Sequence, residues 1–309
     1  MPDRSFVPFG ELWSMRIDVP YSFLVVDDGH AWSCGQLALD DRGEVLAPGD
    51  LIAQARTVAA NLETILQRAG LARDEIGRLA LYHGPSTDEV LDAALAVFTR
   101  AFPGCLLTPI EVPHFYYDGV ELEVDLFGGR SQVRWHSSVE RDPPHLGLHH
   151  LVPPGERGDV ASTLPDPGAA IVAAGSGGER TYGFEVVGHA PTTTVTDDDG
   201  VKTVVRQAGR FTWTQARVTD HIGHRGLVAQ TEAVMAAMDD LLVRHGLAYG
   251  EVVKSTTHYV GGSSPDELHD NMAVRNRRYR SPGPASTGVP VARFADPNSL
   301  VVVDLTLTR

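Results

Sequence analysis

The sequence predicts an α+β fold made of two similar units in tandem, each a mixed sheet with two helices on one face. Three observations lead to this prediction. A stretch that begins at Gln54 returns at Gln230 without a gap, at an offset of 176 residues. Similar strand-like and helix-like patterns surround both copies. A segment rich in proline and glycine separates them. We therefore expect units over residues 1–128 and 181–309, joined by a connector over 129–180.

The repeated stretch has the pattern of an amphipathic helix that packs on a core. Apolar residues recur at three- and four-residue steps in both copies, which places them on one helix face. A glycine follows each helix, where a left-handed cap is favoured. So many identities in so short a span predict a duplication. The identical pairs are Gln54/Gln230, Val58/Val234, Ala60/Ala236, Arg68/Arg244, Gly70/Gly246, Leu71/Leu247, Ala72/Ala248 and Glu75/Glu251.

The first unit reads as β-β-α-β-α-β-β. A hairpin over 22–37 precedes the repeated helix, and a strand over 78–82 follows it. A second helix is predicted from Ser86 to about residue 101, because Ser86 starts a helix-capping pattern. Strands over 106–112 and 120–126 complete the unit.

The second unit repeats this order with different details. The segment 195–202 predicts a hairpin tip, and its acidic run is more typical of a solvated turn than of a metal site. Ser264, Pro265 and Glu267 form a capping box that opens a helix to about Tyr279. The remaining predicted strands cover 211–216, 252–260, 289–294 and 300–307.

Composition limits the classes of function. The 309-residue chain has a net charge of −14, so nucleic acid is not expected as a partner, although Arg275 to Arg280 form a local basic patch. Two cysteines are too few for a disulfide framework. The N-terminus lacks the pattern of a signal peptide, and no apolar run is long enough to cross a bilayer. We expect a cytoplasmic protein with no membrane partner, no metal and no cofactor.

The motifs of both halves, in their order, resemble the YjgF/RidA family. In the first half these are Pro20-Tyr21-Ser22, Cys34-Gly35-Gln36, the Gln54 to Gly70 helix and residues 120–125. In the second half they are the Gln230 to Gly246 helix, residues 274–279, residues 284–289 and residues 300–304. The resemblance implies the chorismate-mutase-like fold. It also implies a homo-oligomer, with a trimer favoured, whose ligand pockets lie between neighbouring sheets.

Members of that family hydrolyse reactive imines and enamines, with an arginine that holds the substrate carboxylate and a glutamate that places water. By this resemblance the glutamate is Glu123 in the first half and is replaced by Val302 in the second. The arginine is replaced by Leu107 and Ser286, so neither half has it. The pocket tyrosine is Tyr21, and the pocket asparagine is Asn276, with Leu95 at that position in the first half. Each half thus keeps parts that the other has lost, which indicates composite pockets.

The carboxylates of the last strand of the first half are the leading catalytic candidates. Glu121, Glu123 and Asp125 alternate, so they share one face, and their repulsion favours a raised pKa. A solvated strand face is the other interpretation. We assign catalysis to Glu123 and Tyr21, although a tyrosine in a half-buried strand is often only a packing residue.

Substrate binding is assigned to residues that the resemblance brings near the pocket, namely Asn276, Arg275, Arg278, Ser286, Thr287, Gly35 and Cys34. Each has an ordinary alternative. The arginines, which bind carboxylates bidentately, also suit a solvated helix end. Ser286 and Thr287 suit loop ordering. Cys34 has no His-Asp partner predicted by spacing, so a nucleophilic role is not favoured.

Histidines give weaker hypotheses. His145, His149 and His150 are of metal-ligand type, but proline and glycine flank them, and helical spacing cannot be assumed. His221 and His224 precede the second repeated helix, and His224 is a candidate for a single pocket role.

The sequence therefore predicts an enzyme acting on a small anionic metabolite, by acid-base-assisted addition or loss of water at an imine, enamine or enol ether carbon. Bacterial secondary metabolism is the expected setting. Two alternatives stay open. One is a chorismatase-like hydrolase, because Ile222-Gly223-His224-Arg225 and residues 279–289 are somewhat similar to that two-domain group. The other is a non-catalytic protein that binds a small metabolite.

Overall fold

One long mixed β-sheet runs through the chain. The structure, a computed structural model, describes residues 4–129, 133–140, 145–146, 150–151, 171–172, 179–186, 192–220, 226–261, 264–294 and 296–309. The first-half elements are β1 (Ser5–Pro8), β2 (Ser22–Asp27), β3 (His30–Ser33), β4 (Gln36–Leu37), α1 (Leu51–Ala69), β5 (Ile76–His83), α2 (Asp88–Ala101), β6 (Leu106–Glu111) and β7 (Leu122–Gly129).

The connector region adds five strands and the second half repeats the two-helix arrangement. The connector strands are β8 (Val133–Glu140), β9 (His145–Leu146), β10 (His150–Leu151), β11 (Ile171–Val172) and β12 (Glu179–Val186). The second-half elements are β13 (Thr192–Asp198), β14 (Val201–Ala208), β15 (Phe211–Val218), α3 (Leu227–Arg244), β16 (Val252–Tyr259), α4 (Pro265–Asn276), β17 (Ala285–Pro290), β18 (Arg293–Phe294) and β19 (Val301–Thr308).

The two halves have the same strand order. The first half reads β2-β3-β7-β5-β6, and the second reads β14-β15-β19-β16-β17. In each half the last long strand is antiparallel to the strand that follows the first helix, which is itself parallel to the next strand. The halves join where β17 pairs in parallel with β2, through Ala285 and Ser22. This junction makes one continuous sheet.

The helices pack on one face of that sheet. The larger core cluster joins the buried faces of all four helices to apolar strand residues, whereas the smaller cluster on the other face consists of residues from strands and connecting segments. Asp50 caps α1 by accepting from the Ala53 amide, and Gly70 ends it with φ 69°. Ser264 caps α4 by accepting from the Glu267 amide, with Pro265 in the first turn, so the predicted cap is confirmed.

The glutamines of the repeated stretch have the same structural role. Gln54 Nε2 donates to the Gly119 carbonyl at 2.7 Å, and Gln54 Oε1 accepts from the Glu121 amide at 2.8 Å. Gln230 makes the equivalent pair of bonds with the Asn298 carbonyl and the Leu300 amide, at 2.8 and 2.7 Å. Each glutamine therefore fixes the backbone that enters the last strand of its half.

A buried carboxylate also joins the halves. Asp27, at the end of β2, is fully buried and accepts from Arg210 Nη2 at 2.9 Å. It also accepts from the hydroxyl of Thr308, at the end of β19. A charge buried in this way is stable only with such partners, so these contacts favour one fixed arrangement of the halves.

Two predicted boundaries in the second half were wrong. The strand predicted over 289–294 is instead β17, which starts four residues earlier, and the separate short β18. The hydrophobic pattern missed the start of β17 because Ser286, Thr287 and Gly288 are not apolar. Helix α4 ends at Asn276 rather than near Tyr279.

Candidate functional site

A small cavity lies between the two halves, beside the β17–β2 junction, with a volume of about 30 Å³. The first half contributes polar and small groups from Tyr21, Cys34, Gly35 and Glu123. The second half contributes Arg275, Ser286 and Gly288. The remaining wall is mainly apolar and aromatic and consists of Phe9, Trp13, Met15, Leu37, Tyr116, Leu268 and Met272. Six of the nine residues assigned from the sequence therefore line one cavity.

Glu123 is the acidic group of the cavity. It lies on β7, where its backbone pairs with Leu37 on one side and Tyr82 on the other, and it is only 2% exposed. Its carboxyl rests against Gly35, where an added Cβ would lie 1.8 Å from Glu123 Oε1. Only glycine permits that approach. Glu123 Oε2 is buried, with no hydrogen-bond partner in the part of the chain that the structure describes.

The surroundings of Glu123 favour its protonated form. Burial raises its pKa well above the ordinary value, the Asp125 carboxylate raises it further, and the Lys254 ammonium lowers it. The expected mutual repulsion of three carboxylates is thus the smaller cause. Glu121 lies just before β7 and its pKa is raised by burial alone. A neutral carboxyl in a cavity is able to donate a proton.

Arg275 is the cationic group of the cavity. It projects from α4, is 2% exposed, and donates from Nε to Asn271 Oδ1 and from Nη1 to Thr257 Oγ1, each at 3.0 Å. Its Nη2 lies 3.8 Å from where a Cβ on Gly288 would be, on the side of the cavity. Among the described residues no carboxylate forms an ion pair with Arg275. A buried guanidinium in that state favours an anion.

The neighbouring arginines point away from this cavity. Arg277 Nη2 contacts Glu232 Oε1 at 2.6 Å, and Arg278 Nη2 contacts Asp239 Oδ2 at 3.1 Å. Both also donate to carbonyls in the last turn of α4. Arg278, assigned to substrate binding from the sequence, thus has the helix-end role that was left open as its alternative. It lines a separate pocket of about 360 Å³.

That second pocket is larger, yet its chemistry is less specific. Arg280, Tyr249 and Phe6 lie on its wall, and Arg278 there is already paired with Asp239. The ring of Tyr279 is 5.4 Å from the ring of Tyr249. The smaller cavity is the better candidate site, because a buried acid meets there a buried arginine that has no ion pair with a described residue.

Tyr21 connects the cavity to the end of α4. Its hydroxyl donates to Asn276 Oδ1 at 2.5 Å, which places the predicted asparagine behind the tyrosine rather than on the cavity wall. Burial raises the pKa of the Tyr21 phenol, while Arg275 and a hydrogen bond with Ser286 lower it. The phenol therefore stays protonated and can orient a ligand oxygen or nitrogen.

Two other assigned residues have structural surroundings. Thr287 does not line the cavity, and its hydroxyl donates to Asp125 Oδ1 at 2.5 Å. Cys34 lines it, but burial raises the pKa of its thiol, and Gln36 Nε2 contacts its sulfur at 3.0 Å. A thiol that remains protonated is a poor nucleophile, so the structure favours a wall position for Cys34.

Sequence reasoning did not identify Tyr259 or Lys254 as candidates. Tyr259 is fully buried, its hydroxyl has no partner among the described residues, and burial followed by Glu123 raises its pKa. Lys254 is 1% exposed. A usable signal existed in composition, because lysine occurs only at positions 202 and 254, and position 254 lies inside a predicted buried strand.

The histidine hypotheses mostly fall on parts of the chain that are not described. His221 and His224 lie outside the described residues, as do His149 and the side chains of His145 and His150. Within the described ranges no group of three or more histidine, cysteine, aspartate or glutamate residues is placed to hold a metal ion. None of the helices in those ranges is long and apolar enough to span a membrane.

The solved structures to which the chain is similar are YjgF/RidA-type proteins. Escherichia coli TdcF with bound serine is 20% identical, with a TM-score of 0.35, over 41% of this chain and 99% of TdcF. The E. coli YjgF gene product is 21% identical, with a TM-score of 0.35, over the same shares. A YjgF/YER057c/UK114 family member from Mycobacterium tuberculosis is 19% identical, with a TM-score of 0.34, again over 41% of this chain and 99% of its own. No family model and no curated protein matches the sequence.

Proposed function

We propose that the protein is an enzyme that adds water to, or removes it from, an imine, enamine or enol ether carbon of a small carboxylate. One observation carries the proposal: the buried Arg275, which has no carboxylate partner among the described residues, shares a cavity with the buried Glu123, whose pKa is raised by burial. An anion held on the guanidinium would present its adjoining carbon to the carboxyl group.

The chemistry follows from the protonation states. With a 2-imino acid, the carboxylate binds Arg275 and the Glu123 carboxyl donates its proton to the imine nitrogen. Water then adds to the carbon, and its proton returns to Glu123, which gives a carbinolamine. Loss of ammonia leaves the 2-oxo acid, so one water is consumed for each ammonia released. Tyr21 orients the reacting group through its hydroxyl.

The proposed site resembles that of the YjgF/RidA family but differs from it in where its arginine comes from. Two such units, descended from one duplicated domain, share a single pocket. Glu123 stands at the family position, while Arg275, on a helix of the other unit, replaces the arginine that both units lack. A cytoplasmic homo-oligomer, with a trimer favoured, and a role in bacterial secondary metabolism belong to the same proposal.

The cavity volume favours a small substrate. The free space of about 30 Å³ is enough for only about two waters, so a substrate also requires the flexible side chains of Met15 and Met272 to move aside. A chorismatase-like activity requires a much larger ring, so release of pyruvate from chorismate is an assay that separates the two functions. A ligand that raises the melting temperature and is recovered unchanged would instead identify a binding protein.

The test replaces Glu123 by Gln and assays a panel of 2-imino acids generated in solution. The amide keeps the shape of the side chain but has no acidic proton. Turnover is therefore expected to fall by about 100-fold or more, the scale of general acid catalysis. Ligand-induced stabilisation should remain. Glu121→Gln, two residues earlier and outside the cavity, serves as the control. Full activity in Glu123→Gln would reject the role.

A further inference from the structure

A buried lysine crosses between the halves behind the cavity. Lys254 lies on β16 of the second half, and its Nζ donates to Asp125 Oδ1 on β7 of the first half at 2.8 Å. It also donates to Thr287 Oγ1 at 2.5 Å and to the Ser33 carbonyl on β3 at 2.7 Å. These three acceptors use all three donors of the ammonium group.

Lys254 is one of two described hydrogen-bond donors to the buried Asp125 carboxylate. It is fully buried, and its Oδ1 accepts from both Lys254 and Thr287. Its Oδ2 has no hydrogen-bond partner in the described part of the chain. A buried carboxylate without a cation takes up a proton or destabilises the fold. Lys254 is therefore the cation that pairs with the buried Asp125.

Asp125 in turn acts on Glu123. The two residues are two positions apart on β7 and share one face of the sheet. The Asp125 charge favours the protonated form of Glu123, and the Lys254 charge opposes it. Among the described residues, other titratable or charged groups near Glu123 include Arg275, which lines the same cavity, and Cys34, Tyr82, Tyr116 and Tyr259, whose pKa values are all raised by burial.

We infer that Lys254 is a positioning residue of the site: it reaches from the second half to bind Asp125 behind Glu123, so the charges that act on the Glu123 proton come from both halves. This inference rests on the proposed function, because it assumes that the Glu123 proton is used in turnover. The test is independent of the proposed function, because it measures the protonation of Glu123 directly rather than turnover.

The experiment follows carboxyl groups by infrared or ¹³C NMR titration of the full chain labelled at aspartate and glutamate, with Glu123→Gln to assign the Glu123 signal. In Asp125→Asn, Glu123 should lose its proton at lower pH than in the wild type. Adding Lys254→Met to that variant should move the titration back to higher pH, because the charge that stabilised the carboxylate is gone. Lys202→Met, at the only other lysine of the sequence, should change neither titration.

If Asp125→Asn does not fold, the single variant Lys254→Met provides a second test. Lys254→Met alone should show a second protonated carboxyl signal at neutral pH, from Asp125. Titrations that coincide with and without Lys254, or an Asp125 that stays ionised in Lys254→Met, would overturn the inference and leave the proposed function standing. A wild-type Glu123 already ionised at neutral pH would instead reject the proposed function.

Discussion

At the scale of single residues, the site depends on how burial acts on two opposite charges. Burial raises the pKa of Glu123, so its carboxyl becomes neutral. Arg275 is equally buried, but a guanidinium is not deprotonated in proteins, so its charge stays. Because Asp125 and Lys254 offset each other, the cavity keeps one positive charge at neutral pH. That balance favours a ligand with one negative charge.

The raised pKa of Glu123 predicts a pH-dependent stability difference. The folded protein holds this proton to higher pH than the unfolded chain, so the free energy of unfolding falls as pH rises from about 4.5 through the folded-state pKa. Glu123→Gln has no such proton. Its stability relative to the wild type should increase with pH across that window, by at most about 1.4 kcal/mol per pH unit.

Urea denaturation at a series of pH values measures this difference. Glu44→Gln, at an exposed glutamate, should follow the wild-type curve. A constant difference between Glu123→Gln and the wild type over the whole range would show that the Glu123 pKa is not raised by folding.

The sequence predicted most of the polar residues that line the cavity, but not the direction of Arg278 or the buried Lys254 and Tyr259. Arg275 and Arg278 are three residues apart, and in a continuing helix they would share a side. Helix α4 ends at Asn276, so the chain turns and Arg278 is directed outward. Lys254 and Tyr259 were not predictable from alternation, because both faces of β16 are buried and every position looks alike.

At the scale of elements, one face of α4 lines the cavity. Its inner side carries Arg275 and the apolar Leu268 and Met272 to the cavity. The residue that caps its C-terminus, Arg277, is 61% exposed and paired with Glu232. Two arginines near the end of one short helix thus differ in burial rather than in chemistry, which makes them a matched pair for mutation.

Replacing Arg275 by Met should weaken binding of a small carboxylate about 10- to 100-fold. A charge-assisted hydrogen bond contributes about 1.5–3 kcal/mol, and about 1.4 kcal/mol is a factor of ten in affinity. Arg277→Met should change affinity by less than about 0.5 kcal/mol, as for other surface substitutions. Calorimetric titration with pyruvate, chosen as the smallest 2-oxo acid, makes the comparison. Equal affinities of the two variants would remove Arg275 from the site.

The two equivalent glutamines, Gln54 and Gln230, predict equal losses of stability when each is replaced. Gln54→Ala and Gln230→Ala each leave a backbone amide and a carbonyl without their partner, at a cost of about 1–3 kcal/mol. Because the sites share no partner, the double variant should lose the sum. Gln67→Ala, on the exposed face of α1, should have little effect. Chemical denaturation measures all four, and a strongly unequal pair would argue against equivalent roles.

At the scale of the whole molecule, the halves meet to complete one cavity. The helices and most strands of both halves were predictable, because hydrophobic spacing and caps are local signals. The junction between β17 and β2 was not predictable, because it depends on which sheet edges meet. The strands β8 and β12 are also longer than the short strands expected in the connector, and they pair antiparallel over eight residues each.

The most direct test of a site formed by Glu123 and Arg275 is a crystal structure of the wild-type chain with pyruvate bound. The account predicts the pyruvate carboxylate on Arg275 Nη2, with its carbonyl carbon beside the Glu123 carboxyl and its oxygen near the Tyr21 hydroxyl. Pyruvate bound instead against Arg278 and Arg280, or a cavity in which Glu123 and Arg275 open onto separate spaces, would contradict it.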